Sequence, residues 1–534
     1  MIRIARLLRG KELTLANFLD ELLPLRANRT VSCAPDLAAP DGTSLPEQRF
    51  SDLLCEVGAM CRFLVEEAGL GRGDRVAIYK TNDVHYFRWF LAVIRAGGIA
   101  VPINPLLTLP ELRSIVSRCE VSTMVTDNVT FERAIGSRDA LAVRHWIQSG
   151  AEAPLDGFHR LTADWLQAPP PPPAHVSPTD TVAIFHTSGT AGFPKGAMLS
   201  SQALLAGRAI GLFSAPLLAL RRARALFCLP WAHIMGVSTA IYGLLAGVPA
   251  HFMSRFEAQA AIEAIERYKL SIVLGVPTMF IRLLNASPSR ESLASVRLWV
   301  SASDHLPAAY RRRLLQYGGV FINAYGMVEL GGVAMFGVDA RFLPAGGELC
   351  LRVPPFRIRV ADESGQRARA GRVGECQVRG PGVTGNYWGD SQRRSSLEPG
   401  GWFRTGDLAV RNRLGLVRLV GRAKDVIKYG GYSIMPGEVE EVLHAHPAIL
   451  RAAVVGIPHS DKGEEPLAVV ECRSDPPPAE EELHTWCRQR LASYKLPRRI
   501  HMVAAGSLPQ GVTEKVLKRV LREQYGGIAE PGTS

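Results

Sequence analysis

Residues 75–127, RVAIYKTNDVHYFRWFLAVIRAGGIAVPINPLLTLPELRSIVSRCEVSTMVTD, decide the fold class. RVAIYK (75–80) is a short apolar run of the kind that forms a strand, and VHYFRWFLAVIRAG (84–97) repeats its apolar residues at helical spacing. GIAVPIN (98–104) reads as strand, LPELRSIVSRC (109–119) as helix and STMVTD (122–127) as strand. This alternation predicts an α/β lobe built on a mainly parallel sheet. Helical periodicity over 51–68 leads into it.

A proline run at 169–173 cannot sit inside a helix or a central strand, so it predicts a surface spacer before a second α/β lobe. That lobe opens with the strand TVAIFH (181–186). It continues through a helix at 257–268 and the strands SIVLGV (271–276), VRLWVS (296–301) and VFINAY (320–325). Residues 347–420 read as short strands divided by Gly and Pro turns, a β subdomain. From Lys424 the pattern becomes a hairpin, a helix at 436–445, the strands LRAAVVGI (450–457) and PLAVVEC (466–472), and a helix at 479–492. The expected architecture is a large N-terminal domain, 1–422, of two α/β subdomains plus a β subdomain, followed by a small α+β domain, 423–534. The turn at 421–425 is placed to act as a hinge.

Hydrophobic residues at 47% and charged residues at 21% are ordinary for a soluble protein, and no run is long and apolar enough to span a bilayer. The basic N-terminus MIRIARLLRGKEL lacks a continuous apolar stretch with a cleavage site, so a cytoplasmic location is expected. Nine cysteines without a CxxC pair form neither a zinc pattern nor a disulfide framework. The net charge of +12 suits anionic substrates such as nucleotides, or peripheral contact with an acidic membrane surface. No basic run with interleaved aromatics points to nucleic acid.

Chemistry first shows in TSGTAGFPKG, Thr187 to Gly196. Glycines let backbone N–H groups approach an anion, hydroxyls donate to its oxygens and Lys195 adds positive charge, so the loop suits phosphate. It is not a Walker A loop, because Lys195 is followed by Gly196 rather than Ser or Thr. Composition alone leaves a flexible Ser/Gly turn equally open.

Further motifs follow in order: Pro230-Trp231-Ala232-His233, Tyr325-Gly326-Met327-Val328-Glu329, Gly374-Glu375 with Arg379-Gly380-Pro381, and the run Gly401 to Asp407. Then come Gly421-Arg422-Ala423-Lys424-Asp425, Ile427 to Tyr432, Pro436 to Glu440, Tyr494 to Pro497, and Lys515. Together with the phosphate loop this series resembles the acyl-adenylate-forming superfamily, which includes acyl-CoA synthetases, peptide-synthetase adenylation domains and firefly luciferase. The resemblance covers nearly the whole chain.

The resemblance implies an ATP-dependent ligase that adenylates a carboxylic acid, a fatty or aryl acid, and passes the acyl group to the thiol of coenzyme A. It implies that Thr187, Ser188, Gly189, Thr190 and Lys195 hold the β- and γ-phosphates. Glu329 would help to hold Mg²⁺, a hard cation that prefers oxygen. Asp407, with Arg422 beside it, would bind the ribose hydroxyls, and Ser303, Asn323 and Tyr325 would border the adenine. Lys515 resembles the lysine that bridges the carboxylate and the α-phosphate. Lys424 matches the hinge about which the C-terminal domain would turn, exchanging Lys515 for Lys428, Gly430 and Gly431 beside coenzyme A. His233, Gly236 and Gly326 would line the acyl site. By themselves, a Gly-Gly pair is also an ordinary hairpin turn and a lone histidine is more often structural.

The chain departs from the superfamily at four places. Val328 stands where a threonine usually contacts the α-phosphate, Glu514 precedes the catalytic lysine in place of glycine, and Ala191 and Ala302 replace a usual Thr and Gly. Loss of one hydrogen bond to a charged group, roughly 1.5–3 kcal/mol, would slow adenylation on the order of 10- to 150-fold. Two alternatives stand beside the coenzyme A ligase: transfer to the phosphopantetheine thiol of an acyl carrier protein, and a weakened nucleotide- or acyl-binding homologue.

Overall fold

The computed structural model describes residues 13–27, 30–32, 48–150, 152–187, 195–211, 214, 222–341, 349–389, 397–473, 476–511 and 515–526. Two short strands, β1 (Thr30–Ser32) and β2 (Gln48–Arg49), come first and belong to a sheet described below. The alternating stretch then forms β3 (Arg75–Ile78), β4 (Ile99–Pro102) and β5 (Thr123–Thr126), joined by helices α2 (Val84–Arg95) and α3 (Leu109–Arg118). Helix α1 (Phe50–Glu66) precedes them. With β6 (His145–Gln148), β7 (His159–Arg160), β8 (Thr181–Thr187) and β9 (Lys195–Ser200) they make a sheet in the order β7-β6-β5-β3-β4-β8-β9. Every pairing is parallel except β8 with β9. The near-continuous apolar strands are explained by burial on both faces. The proline run lies at the surface, as expected, and is tied down: Arg62 donates to the Pro169 carbonyl, Arg95 to that of Pro171 at 2.6 Å, and Pro170 packs on Gly58 of α1.

The second sheet has fourteen strands among the described residues and changes character half-way. Strands β10 (Ala225–Phe227), β11 (Ala250–Phe252), β12 (Ile272–Gly275), β13 (Leu298–Ala302) and β14 (Val320–Met327) pair in parallel, with helices α4 (Ile234–Ala246), α5 (Ala258–Tyr268), α6 (Pro277–Asn285) and α7 (Ala308–Gln316) between or after them. The antiparallel β15 (Gly332–Asp339) then carries the sheet on into β16 (Leu349–Arg352), β17 (Arg357–Ala361), β18 (Val373–Arg379), β20 (Trp402–Arg411) and β21 (Val417–Arg422), with β19 (Leu397–Glu398) paired on β20. The expected β subdomain is therefore an extension of the second α/β sheet rather than a separate one.

After a turn at Ala423–Asp425 the chain forms β22 (Ile427–Tyr429), β23 (Tyr432–Ile434), helix α8 (Pro436–His444), β24 (Ile449–His459), β25 (Gly463–Cys472), helix α9 (Glu480–Arg488), β26 (Arg499–Val503) and helix α10 (Lys518–Tyr525). Alternate residues of β24 and β25 feed two cores. Val454, Ala468 and Val470 pack with Leu443 and Leu483, whereas Val455, Leu467 and Val469 pack with Leu508 and Leu521. No helix among the described residues is long and apolar enough to cross a membrane.

Lys80, which sequence reading treats as the end of a strand, is fully buried at 0% exposure. Its ammonium pairs with Asp83 and lies 3.9 Å from Asp127. Both acids also cap helices: Asp83 accepts from the Tyr86 amide at 3.0 Å and Asp127 from the Thr130 amide at 2.8 Å. Removing one partner of a buried ion pair leaves the other charge uncompensated. We expect Lys80→Ala to cost about 3–5 kcal/mol of stability, read as a lower denaturation midpoint at pH 7. An unchanged midpoint would show the cluster to be hydrated.

Candidate active site

The C-terminal ends of β13 and β14 define the site, as expected where ligands bind beyond the carboxyl ends of a parallel sheet. Register pairs Ser301 with Asn323 and Ala302 with Ala324, so Ser303 and Tyr325 emerge side by side. Ser303 holds φ at +76°, unusual for a side-chain-bearing residue, and its buried Oγ has no hydrogen-bond partner among the described residues. The Tyr325 hydroxyl donates to Asp407 Oδ2 at 2.6 Å. Burial, then the Asp407 charge, raise its pKa well above the ordinary phenol value, so it stays a donor. Arg422, opposite Asp407 on β21, places Nε 3.2 Å from Oδ1. Both Asp407 oxygens are thus engaged at the edge of one cleft with Ser303 and Asn323.

The Gly- and hydroxyl-rich segment 187–196 begins and ends on an antiparallel pair: Thr187 at the end of β8 pairs with Lys195 at the start of β9. Ser188, Gly189, Thr190 and Ala191 lie outside the described residues. Tyr387, a residue that motif reading passed over, ties this hairpin to Glu329. Its hydroxyl donates to Glu329 Oε1 at 2.9 Å, and Lys195 Nζ lies 5.5 Å from its ring centre. The segment carrying it is stitched to β9 by Trp388 N to Gly196 O at 2.8 Å and Met198 N to Asn386 O at 3.2 Å. The only available signal was an aromatic pair inside the glycine-rich run GVTGNYWG. Glu329 is buried at 7% exposure. A hard carboxylate oxygen such as that of Glu329 fits Mg²⁺, which would then take its other ligands from substrate and water, since no cluster of three or more ligating side chains occurs among the described residues. Val328 packs into the main core at 8% exposure.

His233 caps helix α4, its Nδ1 accepting from the Met235 amide at 3.3 Å. Burial pushes its pKa down to about 4, so the ring is neutral at pH 7. Stacked rings surround the preceding turn, with Trp231 4.5 Å from Phe227 and 5.6 Å from Phe252. Gly236 and Gly326 are required by backbone contact: a Cβ on the first would sit 2.3 Å from Pro230 O, and on the second 2.1 Å from Gly332 O. The Oγ1 of Thr278 and the Oγ of Ser301 are buried without a hydrogen-bond partner among the described residues.

From the C-terminal domain, Lys515 reaches in to place Nζ 3.3 Å from Asp304 Oδ1, one residue beyond Ser303. Burial alone would raise the Asp304 carboxyl, but Lys515, the His305 amide and Lys518 outweigh it and hold it below its ordinary value. Neighbouring contacts dock the domain: His305 Nε2 meets Glu441 Oε1 at 2.7 Å, Tyr310 donates to Leu450 O at 2.6 Å, and Arg473 donates to Asn285 Oδ1 and to the Tyr310 hydroxyl, each at 2.6 Å. Asp304 and His305 were not picked out by sequence reading, and Glu514 lies outside the described residues. Lys424 sits in the turn between the domains, its pKa lowered by burial and then by Arg422. Lys428 is not brought to this cleft: it bonds Ser433 Oγ at 2.7 Å and, through its amide, Glu464 at 2.8 Å. Gly430 and Gly431, at φ +54° and +85°, form the two-residue turn of the β22–β23 hairpin.

Residues 31–388 match the AMP-binding enzyme family, and residues 438–515 match the AMP-binding enzyme C-terminal domain. The chain belongs to the AMP-binding enzyme family. It is 28% identical to a long-chain-fatty-acid–CoA ligase of Bacillus subtilis (strain 168), over 95% of this chain and 96% of that protein. It is 32% identical to a feruloyl-CoA synthase of Amycolatopsis sp, over 86% and 90%. The crystal structure of ATP-bound MatB from Rhodopseudomonas palustris is similar to it with a TM-score of 0.82 and 27% identity, over 96% and 99% of the two chains.

In this AMP-binding enzyme, burial holds His85, His186 and His233 at a pKa of about 4, against an ordinary 6.5. Between those values the unfolded chain takes up protons that the folded chain refuses, so stability falls as pH drops from about 6.5 to about 4. The urea midpoint should decline over that window, and His233→Gln should decline less steeply. Parallel slopes for the two proteins would exclude His233 as a contributor.

Proposed function

We propose that this chain is an ATP-dependent acid–thiol ligase that adenylates an apolar carboxylic acid, a fatty or aryl acid, and transfers the acyl group to coenzyme A. The observation that carries this reading is the approach of Lys515 to Asp304, one residue from Ser303 and beside the Tyr325–Asp407 bond. A flexible cation from the C-terminal domain, delivered to the carboxyl ends of the parallel strands of the second sheet, suits the meeting of two anions. Family membership and the names of the relatives support the same chemistry.

In the first half-reaction the acid's carboxylate oxygen attacks the α-phosphorus of ATP, the bond to the bridging oxygen breaks, and pyrophosphate leaves. Lys515 would neutralise carboxylate and α-phosphate as they approach. Thr187 and Lys195, with Ser188, Gly189 and Thr190, would hold the outer phosphates, and Glu329 would hold Mg²⁺, whose positive charge offsets that of the leaving pyrophosphate. Asp407 would take the ribose hydroxyls, steadied by Tyr325 and Arg422, while Ser303 and Asn323 border the base. In the second half-reaction the thiol attacks the acyl carbonyl and AMP leaves. We assign this step to a second orientation of residues 423–534, turned about Lys424, in which Lys428, Gly430 and Gly431 face the cleft. His233, neutral and two residues past the stacked Trp231, favours an uncharged acyl tail, with Gly236 and Gly326 permitting close backbone packing at Pro230 and Gly332.

Lys515→Ala should lower acid-dependent pyrophosphate release on the order of 100-fold or more while thioester formation from supplied acyl-adenylate persists. Lys428→Ala should show the opposite split, and a free thiol and a loaded carrier protein offered as acceptors identify the natural one. Full pyrophosphate release by the Lys515 variant would exclude the assigned role. Glu441→Gln, which weakens the docking contact to His305, should slow adenylation about fivefold and spare the second half-reaction. Equal slowing of both halves would make that contact merely structural.

A further inference from the structure

We propose that the free end of the antiparallel half of the second sheet is a docking surface for a lipid membrane with anionic headgroups. The β17–β18 and β20–β21 hairpins lie side by side there, tied by Gly371 N to Arg411 O at 2.9 Å. The first tip, residues 362–372, carries Arg367, Arg369 and Arg372 against Asp362 and Glu363, and the second, 411–416, carries Arg411 and Arg413 with no acid. Five arginines less two acids leave +3 on seventeen residues. The Asp362 carboxylate is occupied within its own turn, accepting from the Ser364 hydroxyl at 2.7 Å and from the Ser364 and Gln366 amides, both at 3.0 Å. Arg367, Arg369, Arg372 and Arg413 are all exposed.

An apolar apex accompanies this charge. Leu414, 86% exposed, is the most exposed large apolar side chain among the described residues, and Val373 beside the same tips is 48% exposed. The turn holds Leu414 outward: Asn412 N donates to Leu416 O at 2.9 Å, Leu416 N to Asn412 Oδ1 at 2.9 Å, and Gly415 N to Asn412 O at 3.1 Å. Guanidinium groups around a protruding leucine match the interface of a bilayer, where phosphates meet the cations and the acyl boundary accepts the apex. A folded acidic protein would satisfy the arginines but would set charge against the leucine. Asp407 lies four residues back along β20, about 13 Å from Arg411, so the surface is separate from the catalytic residues.

The test is co-sedimentation of the full chain, without ATP or thiol, with vesicles of phosphatidylcholine alone or mixed with phosphatidylserine. Capture by the anionic vesicles only, weakened by salt, is expected. Combined Arg369→Gln, Arg372→Gln and Arg413→Gln should reduce it about 100-fold, at about fivefold per charge. Leu414→Ser should reduce it about 10-fold. Unchanged unfolding temperatures certify that the variants are folded. Equal capture on both vesicle types, undiminished capture of the triple variant, or binding to an acidic carrier protein but not to vesicles would each overturn the proposal. Because the assay contains no substrate, its outcome is independent of the ligase reading.

Discussion

Antiparallel pairing of β14 with β15 is the constraint on which the rest of the molecule depends. From β10 to β14 the second sheet is parallel, and from β15 on the chain returns along the same sheet as antiparallel strands. That reversal brings β20 to the edge where β14 ends, so the Tyr325 hydroxyl can meet Asp407 although 82 positions separate them. The Gly326 contact with the Gly332 carbonyl is what lets the two strands turn so closely. A side chain there would force the hairpin apart and with it the approach of Tyr325 to Asp407.

Charge at the cleft is arranged in compensated pairs before any substrate arrives. Asp407 is balanced by Arg422, Asp304 by Lys515, and Glu329 is tethered by the Tyr387 hydroxyl. Asp407 and Asp304 therefore do not stand as bare charges. The Lys515–Asp304 pair is about two-fifths exposed on each side, so it is a weak tether. The same pair reports domain orientation, because Lys515 comes from beyond the turn at Ala423–Asp425 and is flanked by the His305–Glu441 and Arg473–Asn285 contacts.

Two features that look chemical in the sequence have a plain structural cause as well. Gly430 and Gly431 form the turn that a two-residue hairpin with positive φ requires, and His233 is a helix cap with a neutral ring. Val328 is partly a core residue, so the absence of a hydroxyl there is accompanied by apolar packing.

Local pattern sufficed for much of the fold. Strand and helix alternation at 75–127, the strand at 181–186 and the small α+β domain after Lys424 were all legible, because periodicity and turn residues act over a few positions. Their order also carried the family resemblance. Tertiary structure alone decided that Lys80 is buried between two carboxylates, that the β subdomain continues the second sheet, that Tyr387 links Lys195 to Glu329, and that Asp304 faces Lys515. Each of these joins residues remote in sequence or sets the environment of a charge. Burial and partner choice depend on which strands become neighbours, and no local pattern encodes that.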